Sequence, residues 1–520
     1  MATTFHALNP ATGASLEPEF RSSSLAEIEH ACRAAALAAP EYGQRSGAER
    51  ARFLREIAVQ LETRREALVA RAQLETGLTA ARLQGETTRT ANQLRLFAEV
   101  VEEGSWVDAR LDRRIAAQEG VPERPDLRSM LRPMGPVAVF GASNFPLAFS
   151  VAGGDTASAL AGGNPVIVKA HPAHPGTSRL AAEAIEAAVA ECGWGAGVFA
   201  ILYDAGIEVG LALVRHPAVR AVGFTGSLRG GRALMDAAAA RPAPIPVFAE
   251  MGSSNPVFIL PRAMADRGAE IARGLHASVT LGAGQFCTKP GLVMVAHGAP
   301  GDTMRGELQR AMAATPEAPM LTAGIAAAFR AGGAARGELR GVERMTNTGA
   351  LLFETAAERL LESPELAEEL FGPTTLVVRH TPAQLLELAR SLEGHLTATV
   401  HGTDEDLREN AELLHVLAAR VGRLVLNGFP TGVAVTHAMV HGGPYPASSS
   451  GETSVGTRAI LRFVRPVCFQ DAPEFALPPE LQDANPLGIA RRLDGRITRD
   501  PVRKVFRRRR TKPAGPPVSR

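Results

Sequence analysis

The sequence predicts an α/β protein built on parallel sheets covered on both faces. Two observations carry this. Short runs rich in Val, Ile and Leu, bounded by Gly or Pro, alternate with Ala-rich helical stretches, and the alternation occurs twice along the chain. A third observation is length: 520 residues exceed one ordinary core, so about three domains of 100 to 200 residues are expected.

The N-terminal third reads as helical. Ser24 and Glu27 have capping-box spacing ahead of Ile28, Ala31 and Ala35. Phe53, Leu54, Ile57, Leu61 and Leu68, then Leu94, Phe97, Val100 and Val101, continue at helical period. The first set of strands follows at Val137–Phe140, Val166–Val168, Val198–Leu202, Val219–Phe224 and Ile245–Ala249, with a helix over Leu180–Val189 among them. A second set follows at Val257–Leu260, Leu292–Ala296, Leu376–Val378, Leu396–Val400 and Leu424–Leu426, which places a domain boundary near Glu250–Asn255. Trp106–Arg132, polar and carrying Pro122 and Pro125, fits neither set, and Thr457–Phe469 reads as one exposed strand, either an edge blunted by its arginines or an assembly strand. From residue 471 periodicity is lost, and the end, RKVFRRRR and TKPAGPPVSR, is expected to be a disordered basic tail.

Composition excludes several classes. Fifty-six basic against 54 acidic residues leave a net charge of +2, so no global field invites nucleic acid or an anionic membrane, and the arginine run is expected to be a solvated tail. The four cysteines, Cys32, Cys192, Cys287 and Cys468, lack any ligand spacing, so neither a disulfide framework nor a metal site is expected. No secretory leader or spanning stretch is evident, and a cytoplasmic location is expected.

Five segments carry chemistry. GAGQFCTKPG, residues 282–291, sets Cys287 in a Gly-rich turn where the backbone approaches a substrate closely and free N–H groups can meet an oxyanion. A lone cysteine is equally a small buried hydrophobe, so the segment alone decides little. FAEMGSSNP places Glu250 at the C-terminal edge of a strand, where ligands bind in α/β sheets; partial desolvation would raise its pKa toward that of a general base, while an N-cap or loop acid serves as well. FGASNFPLAF places Asn144 just after a strand, able to donate to an oxyanion or to hold a turn. VIVKAHP and GFTGSLRGG end strands in polar or glycine-rich turns, the second opening a helix whose N-terminus suits a phosphate, although no GxGxxG is present.

In this order and spacing the segments resemble the aldehyde dehydrogenase superfamily over about residues 1–470. The resemblance implies Cys287 as nucleophile, Glu250 as general base and Asn144 as oxyanion donor. NAD or NADP would be held by Lys169, Ser143, Pro172, Gly226, Ser227, Glu369 and Phe371, and Phe145, Phe149 and Phe286 would line the aldehyde tunnel, with no metal. It also implies a Rossmann-like cofactor domain (1–108 and 133–250), an α/β catalytic domain (251–450), a small β oligomerisation element (109–132 and 451–470) and a homodimer or homotetramer.

Departures from the family pattern point to one branch. Ser143 replaces a tryptophan, Gly252-Ser253-Ser254 replaces Gly-Gly-Lys, and HGGPYPASSS, residues 441–450, replaces a glycine-rich loop. With NGFPTGVAVTHAMVHGGPYPAS and SVGTRAILRFVRPVCFQ, these resemble the α-ketoglutaric semialdehyde (2,5-dioxopentanoate) dehydrogenases, relatives of bacterial fatty aldehyde dehydrogenases. Three other readings stay open: a long-chain fatty aldehyde as substrate, a catalytically silent member of the fold, and a nucleic-acid-associated protein acting through the basic tail. NAD-preferring relatives carry a glutamate three positions after the cofactor lysine. Pro172 stands there and carries no charge to repel a 2′-phosphate, so NADP is expected to be preferred, with His171 and His174, read as surface residues, beside the same turn.

Overall fold

The computed structural model describes residues 3–502, apart from positions 118, 120 and 121. The chain divides into two compact units, one comprising residues through Glu102 and Pro133–Arg465, the other Glu103–Arg132 and the chain from Pro466.

Both α/β sheets lie in the first unit. One has five parallel strands in the order Phe199–Leu202, Val166–Lys169, Val137–Phe140, Ala221–Thr225, Val247–Glu250. Val137–Phe140 and Val166–Lys169 are buried throughout, which is why they read as continuous apolar runs rather than alternating ones. The strand order reverses direction between Val137–Phe140 and Ala221–Thr225. Loops leaving the C-terminal ends of those two strands therefore diverge and open a crevice for ligand.

The second sheet has seven strands, ordered Val342–Arg344, Leu351–Ala356, Thr374–His380, Leu292–Ala296, Val257–Ile259, His395–His401, Val421–Leu426. All pairings are parallel except that of the edge strand Val342–Arg344. Each expected strand of both sets is present within a few residues. The sequence reading missed Val342–Arg344 and Leu351–Ala356, and also an N-terminal hairpin of Thr4–Leu8 with Ser15–Arg21.

Helices form where capping and periodicity indicated. Ser24 closes a full capping box with Glu27 on Leu25–Tyr42, and the helix expected over Leu180–Val189 runs Pro175–Glu191. Ala80–Glu103 buries an apolar stripe that includes Leu83, Leu94, Phe97 and Val101. Glu86 and Gln93 are also buried on this helix, a pattern that packing alone does not require.

The expectation of one strand over Thr457–Phe469 is corrected. Thr457–Phe463 winds into 3-10 turns, and only Val464–Gln470 is extended. The cause is an irregular burial pattern: Ala459, Ile460, Arg462 and Phe463 all turn inward, and Arg462 pairs with Asp155 at 2.8 Å.

The second unit holds a five-stranded sheet, Val464–Gln470, Leu127–Pro133, Arg110–Asp112, Arg491–Leu493, Arg496–Thr498. The disordered tail expected from residue 471 is corrected here as far as Val502. Leu477, Leu481 and Ile489 bury with Val107, Leu111 and Met130, and Arg492 pairs with Arg110 in the sheet. The apolar residues that do this are too sparse and irregular to show a period, so the sequence alone hides them. Residues 503–520, with the arginine run, lie outside the described residues. Among the described residues no helix is long and apolar enough to cross a membrane.

Candidate active site

Cys287 sits on the turn that follows the helix Pro261–Thr280, half-buried. Gly284 shapes this turn: its φ is +66°, and a Cβ there would lie 2.3 Å from the backbone of Gly372, so the cysteine loop and the loop after Glu369 close on one another only through glycine. Asn255, itself at φ +47° and fully buried, fixes the loop from below. Its amide donates to the carbonyls of Cys287 (2.8 Å) and Lys289 (3.0 Å), and its Oδ1 accepts from Thr397.

Glu250 ends the last strand of the five-stranded sheet. The segment HGGPYPASSS runs against that strand end: Met251 N–H donates to Ala447, Ser449 N–H to Ala249, and Glu250 bridges Ser448. This delivers His441, 1% exposed, to the acid. His441 Nε2 lies 2.8 Å from Glu250 Oε1 and 3.4 Å from Cys287 Sγ, while Ser454 donates to Glu250 Oε2 at 2.7 Å. His441 is one residue that the sequence did not single out, as are Asn255, Arg82 and Arg89. Its one visible signal was its place at the head of the segment that departs from the family pattern.

The electrostatics of the three are coupled. Burial pushes the Cys287 thiol well above its ordinary range, and the Glu250 and Glu369 carboxylates add to this. Burial also pushes the Glu250 carboxyl up, but the His441 charge and the hydrogen bonds from His441 and Ser454 outweigh it, and the net direction is down. The expected rise of Glu250 toward neutrality is therefore corrected: it is an ionised carboxylate, which accepts from the His441 Nε2–H and lies within 4.8 Å of the thiol as its proton acceptor. The sulfur, the imidazole nitrogen and a Glu250 oxygen lie within 4.8 Å of one another and could together hold a metal ion.

Asn144 is held from two sides. Its side-chain amide donates to Gln285 O (3.0 Å), and its backbone carbonyl accepts from Arg82 (2.7 Å). An amide has two N–H donors, so one remains for an oxyanion. Phe145, Phe149 and Phe286 line one chamber of about 250 Å³ with Cys287, Thr288, Arg82, Glu86 and Arg89. Phe145 meets both other rings edge-on, at 5.2 and 5.3 Å.

Of the expected cofactor residues, Lys169, Ser143, Pro172, Gly226 and Ser227 stand at or just after the C-terminal ends of strands in the first sheet. Lys169 ends its strand, nine-tenths buried, with Nζ donating to Asp204 O at 3.1 Å; burial pushes its ammonium down to about 8. Gly226 is exposed and Ser227 caps the helix Leu228–Ala239, leaving that helix N-terminus open to an anion. Ser143 and Pro172 are half-buried in the loops after their strands. Glu369 packs over Gly252, where a Cβ would meet its Oε2 at 2.4 Å, and half-buried Phe371 follows on the same loop. Oε1 of Glu369 is buried without a partner, which suits a ribose hydroxyl donor, and burial pushes the carboxyl up to about 7. The residues present thus fit a dinucleotide. His174 departs from its surface reading: it is fully buried and bonded to Ala142 O and Ser178, which makes it structural.

Comparison with known proteins identifies the family and the fold. The model of the aldehyde dehydrogenase family matches residues 1–466. The chain is 50% identical over 509 residues to alpha-ketoglutaric semialdehyde dehydrogenase 2 of Azospirillum brasilense, covering 95% of this chain and 96% of that protein. It is 44% identical over 494 residues to alpha-ketoglutaric semialdehyde dehydrogenase of Acinetobacter baylyi, covering 92% and 93%. Among solved structures, a 1-pyrroline-5-carboxylate dehydrogenase from Thermus with bound NAD superposes with a TM-score of 0.74 at 22% identity, covering 90% of each chain. Aldehyde dehydrogenase 21 of Physcomitrella patens, in complex with the reaction product succinate, gives 0.75 at 19%, covering 90% of this chain and 95% of that one. At those identities the superpositions speak for the fold.

Proposed function

The chain belongs to the aldehyde dehydrogenase family, whose members oxidise aldehydes with NAD(P), and from that premise we propose that it converts 2,5-dioxopentanoate to 2-oxoglutarate through a thioester on Cys287. The observation that carries the chemistry is the contact of His441 Nε2 with both Cys287 Sγ and Glu250.

The thiol proton passes to the Glu250 carboxylate, which the His441 Nε2–H and the Ser454 hydroxyl hold in place. The thiolate then adds to the aldehyde carbon, and the free N–H of Asn144 with the Cys287 backbone N–H receives the oxyanion. Lys169, the Gly226–Ser227 turn and Glu369 would hold NAD(P), which would supply the hydride acceptor. Loss of hydride leaves a thioester on Cys287. Glu250, its first proton released to solvent, then takes a proton from water; hydroxide attack expels the thiolate, and that proton restores the thiol as the carboxylate product leaves.

The substrate assignment draws on the two relatives, named for α-ketoglutaric semialdehyde and alike over nearly their whole length. NADP is read as the preferred cofactor from Pro172, a homodimer or homotetramer as the assembly, and the cytoplasm as the location. The experiment is a substrate panel at fixed cofactor. A kcat/KM for 2,5-dioxopentanoate well above that for decanal is expected, and the reverse order would replace this substrate with a fatty aldehyde.

A further inference from the structure

The chamber in front of Cys287 contains more positive charge than the chemistry above uses. Arg82, Glu86 and Arg89 project from one face of the helix Ala80–Glu103, at i, i+4 and i+7, and all three line the chamber. Arg82 lies over the rings of Phe145 (4.8 Å) and Phe286 (4.6 Å), and Arg89 over Phe149 (5.0 Å). Packing against an aromatic ring anchors a guanidinium without using any of its N–H donors.

Few of those N–H groups are used. Arg82 donates one to Asn144 O and Arg89 one to Val433 O, whereas Nη1 of Arg82 and both Nη1 and Nη2 of Arg89 are buried without a partner. Among the described residues no carboxylate lies within ion-pair distance of either arginine. Glu86, the nearest acid in sequence, turns one oxygen to the N–H groups of Leu147 (2.9 Å) and Ala148 (3.0 Å). Burial pushes its carboxyl up, toward the uncharged form. Burying two guanidinium groups with idle donors is costly, and a structural role accounts for one hydrogen bond from each.

We propose that Arg82 and Arg89 form the subsite that holds the substrate carboxylate, so that the chamber selects short aldehydes bearing an acid group at the far end. The inference rests on the reading of this chamber as the aldehyde site and supplies its selectivity. Arg89, with both terminal nitrogens free, offers the two-pronged fork that matches a carboxylate, and Arg82 adds charge while holding Asn144 in place. At about 250 Å³ the chamber lies below the roughly 300–1,000 Å³ of sites that enclose drug-sized ligands, a scale suited to a five-carbon acid. A neutral alkyl aldehyde would leave the same guanidinium groups desolvated and unanswered, which discriminates against it.

The test compares 2,5-dioxopentanoate and 5-oxopentanoate with pentanal, a neutral aldehyde of equal length, in the wild type, Arg89→Gln and Arg89→Lys. The ratio of kcat/KM for either acid to that for pentanal is expected to fall by about 30-fold or more in Arg89→Gln, chiefly through KM, and less in Arg89→Lys, which keeps the charge without the fork. Inhibition by the product 2-oxoglutarate, competitive with the aldehyde, is expected to weaken in the same order. If Arg89→Gln does not fold, the Arg89→Lys ratio and inhibition constant carry the test. A wild type that prefers the acids, with a ratio unmoved in the variants, would overturn the arginine subsite and leave the proposed function standing. A wild type that oxidises pentanal as well as the acids would overturn both.

Discussion

His441 Nε2 stands 2.8 Å from a carboxylate oxygen of Glu250, and the same nitrogen is 3.4 Å from Cys287 Sγ. One imidazole nitrogen thus joins acid and nucleophile. His441→Gln keeps a polar side chain but removes the imidazole that fixes the Glu250 carboxylate beside the thiol, so kcat is expected to fall by about 10²- to 10⁴-fold with cofactor affinity retained. Alkylation of Cys287 by iodoacetamide should move to higher pH in the same variant, because the thiolate, already disfavoured by burial, loses the imidazole N–H beside it. Unchanged alkylation and turnover would show that His441 only packs.

The Glu250 charge raises the Cys287 thiol, so Glu250→Gln should bring the thiolate to lower pH and speed alkylation at neutral pH, even as it slows hydrolysis of the thioester. The opposed effects are the signature: faster alkylation, with a burst of reduced cofactor followed by stalling. Cys287→Ala should abolish oxidation and leave cofactor binding intact. Burst and steady rate falling together in Glu250→Gln would assign Glu250 another role.

Glu369 is pushed up to about 7, so its carboxyl is largely protonated at pH 6 and ionised at pH 8.5. Only the carboxylate accepts strongly from a ribose hydroxyl. NAD(P) affinity should therefore rise with pH across that range, by up to about tenfold, and this dependence should vanish in Glu369→Gln. Fluorescence titration of the reduced cofactor at the two pH values measures it, and a wild type with no pH dependence would sink the assignment.

Pro172 occupies the place where a carboxylate would repel a 2′-phosphate. Pro172→Glu should shift the kcat/KM ratio toward NAD, by about tenfold or more. An unshifted ratio, or negligible NADP activity in the wild type, would place cofactor specificity elsewhere.

Asn255 holds the carbonyls of Cys287 and Lys289 from a buried position. Asn255→Ala strands both acceptors and places alanine at a φ that disfavours it, so a loss of about 2–4 kcal/mol is expected in denaturant unfolding, with a fall in kcat larger than any change in cofactor affinity. A variant as stable and active as wild type would show that the loop is held by other contacts.

What the sequence determined by itself was local. Capping at Ser24, the buried strands of both sheets, and the segments bearing Cys287, Glu250 and Asn144 are legible because period, turn chemistry and motif order are properties of a few neighbouring residues. What only tertiary structure decided depends on contacts across long separations. His441 joins Glu250 and Cys287 because a distant segment pairs with a strand end, and Arg82 with Arg89 gains meaning because their helix face is set against Phe145, Phe149 and Phe286. Residues 471–502 order for the same reason, since their few apolar side chains find a core that residues 107–130 supply. No local pattern encodes such contacts, because burial of a polar or sparse segment is favourable only once its distant partners are in place.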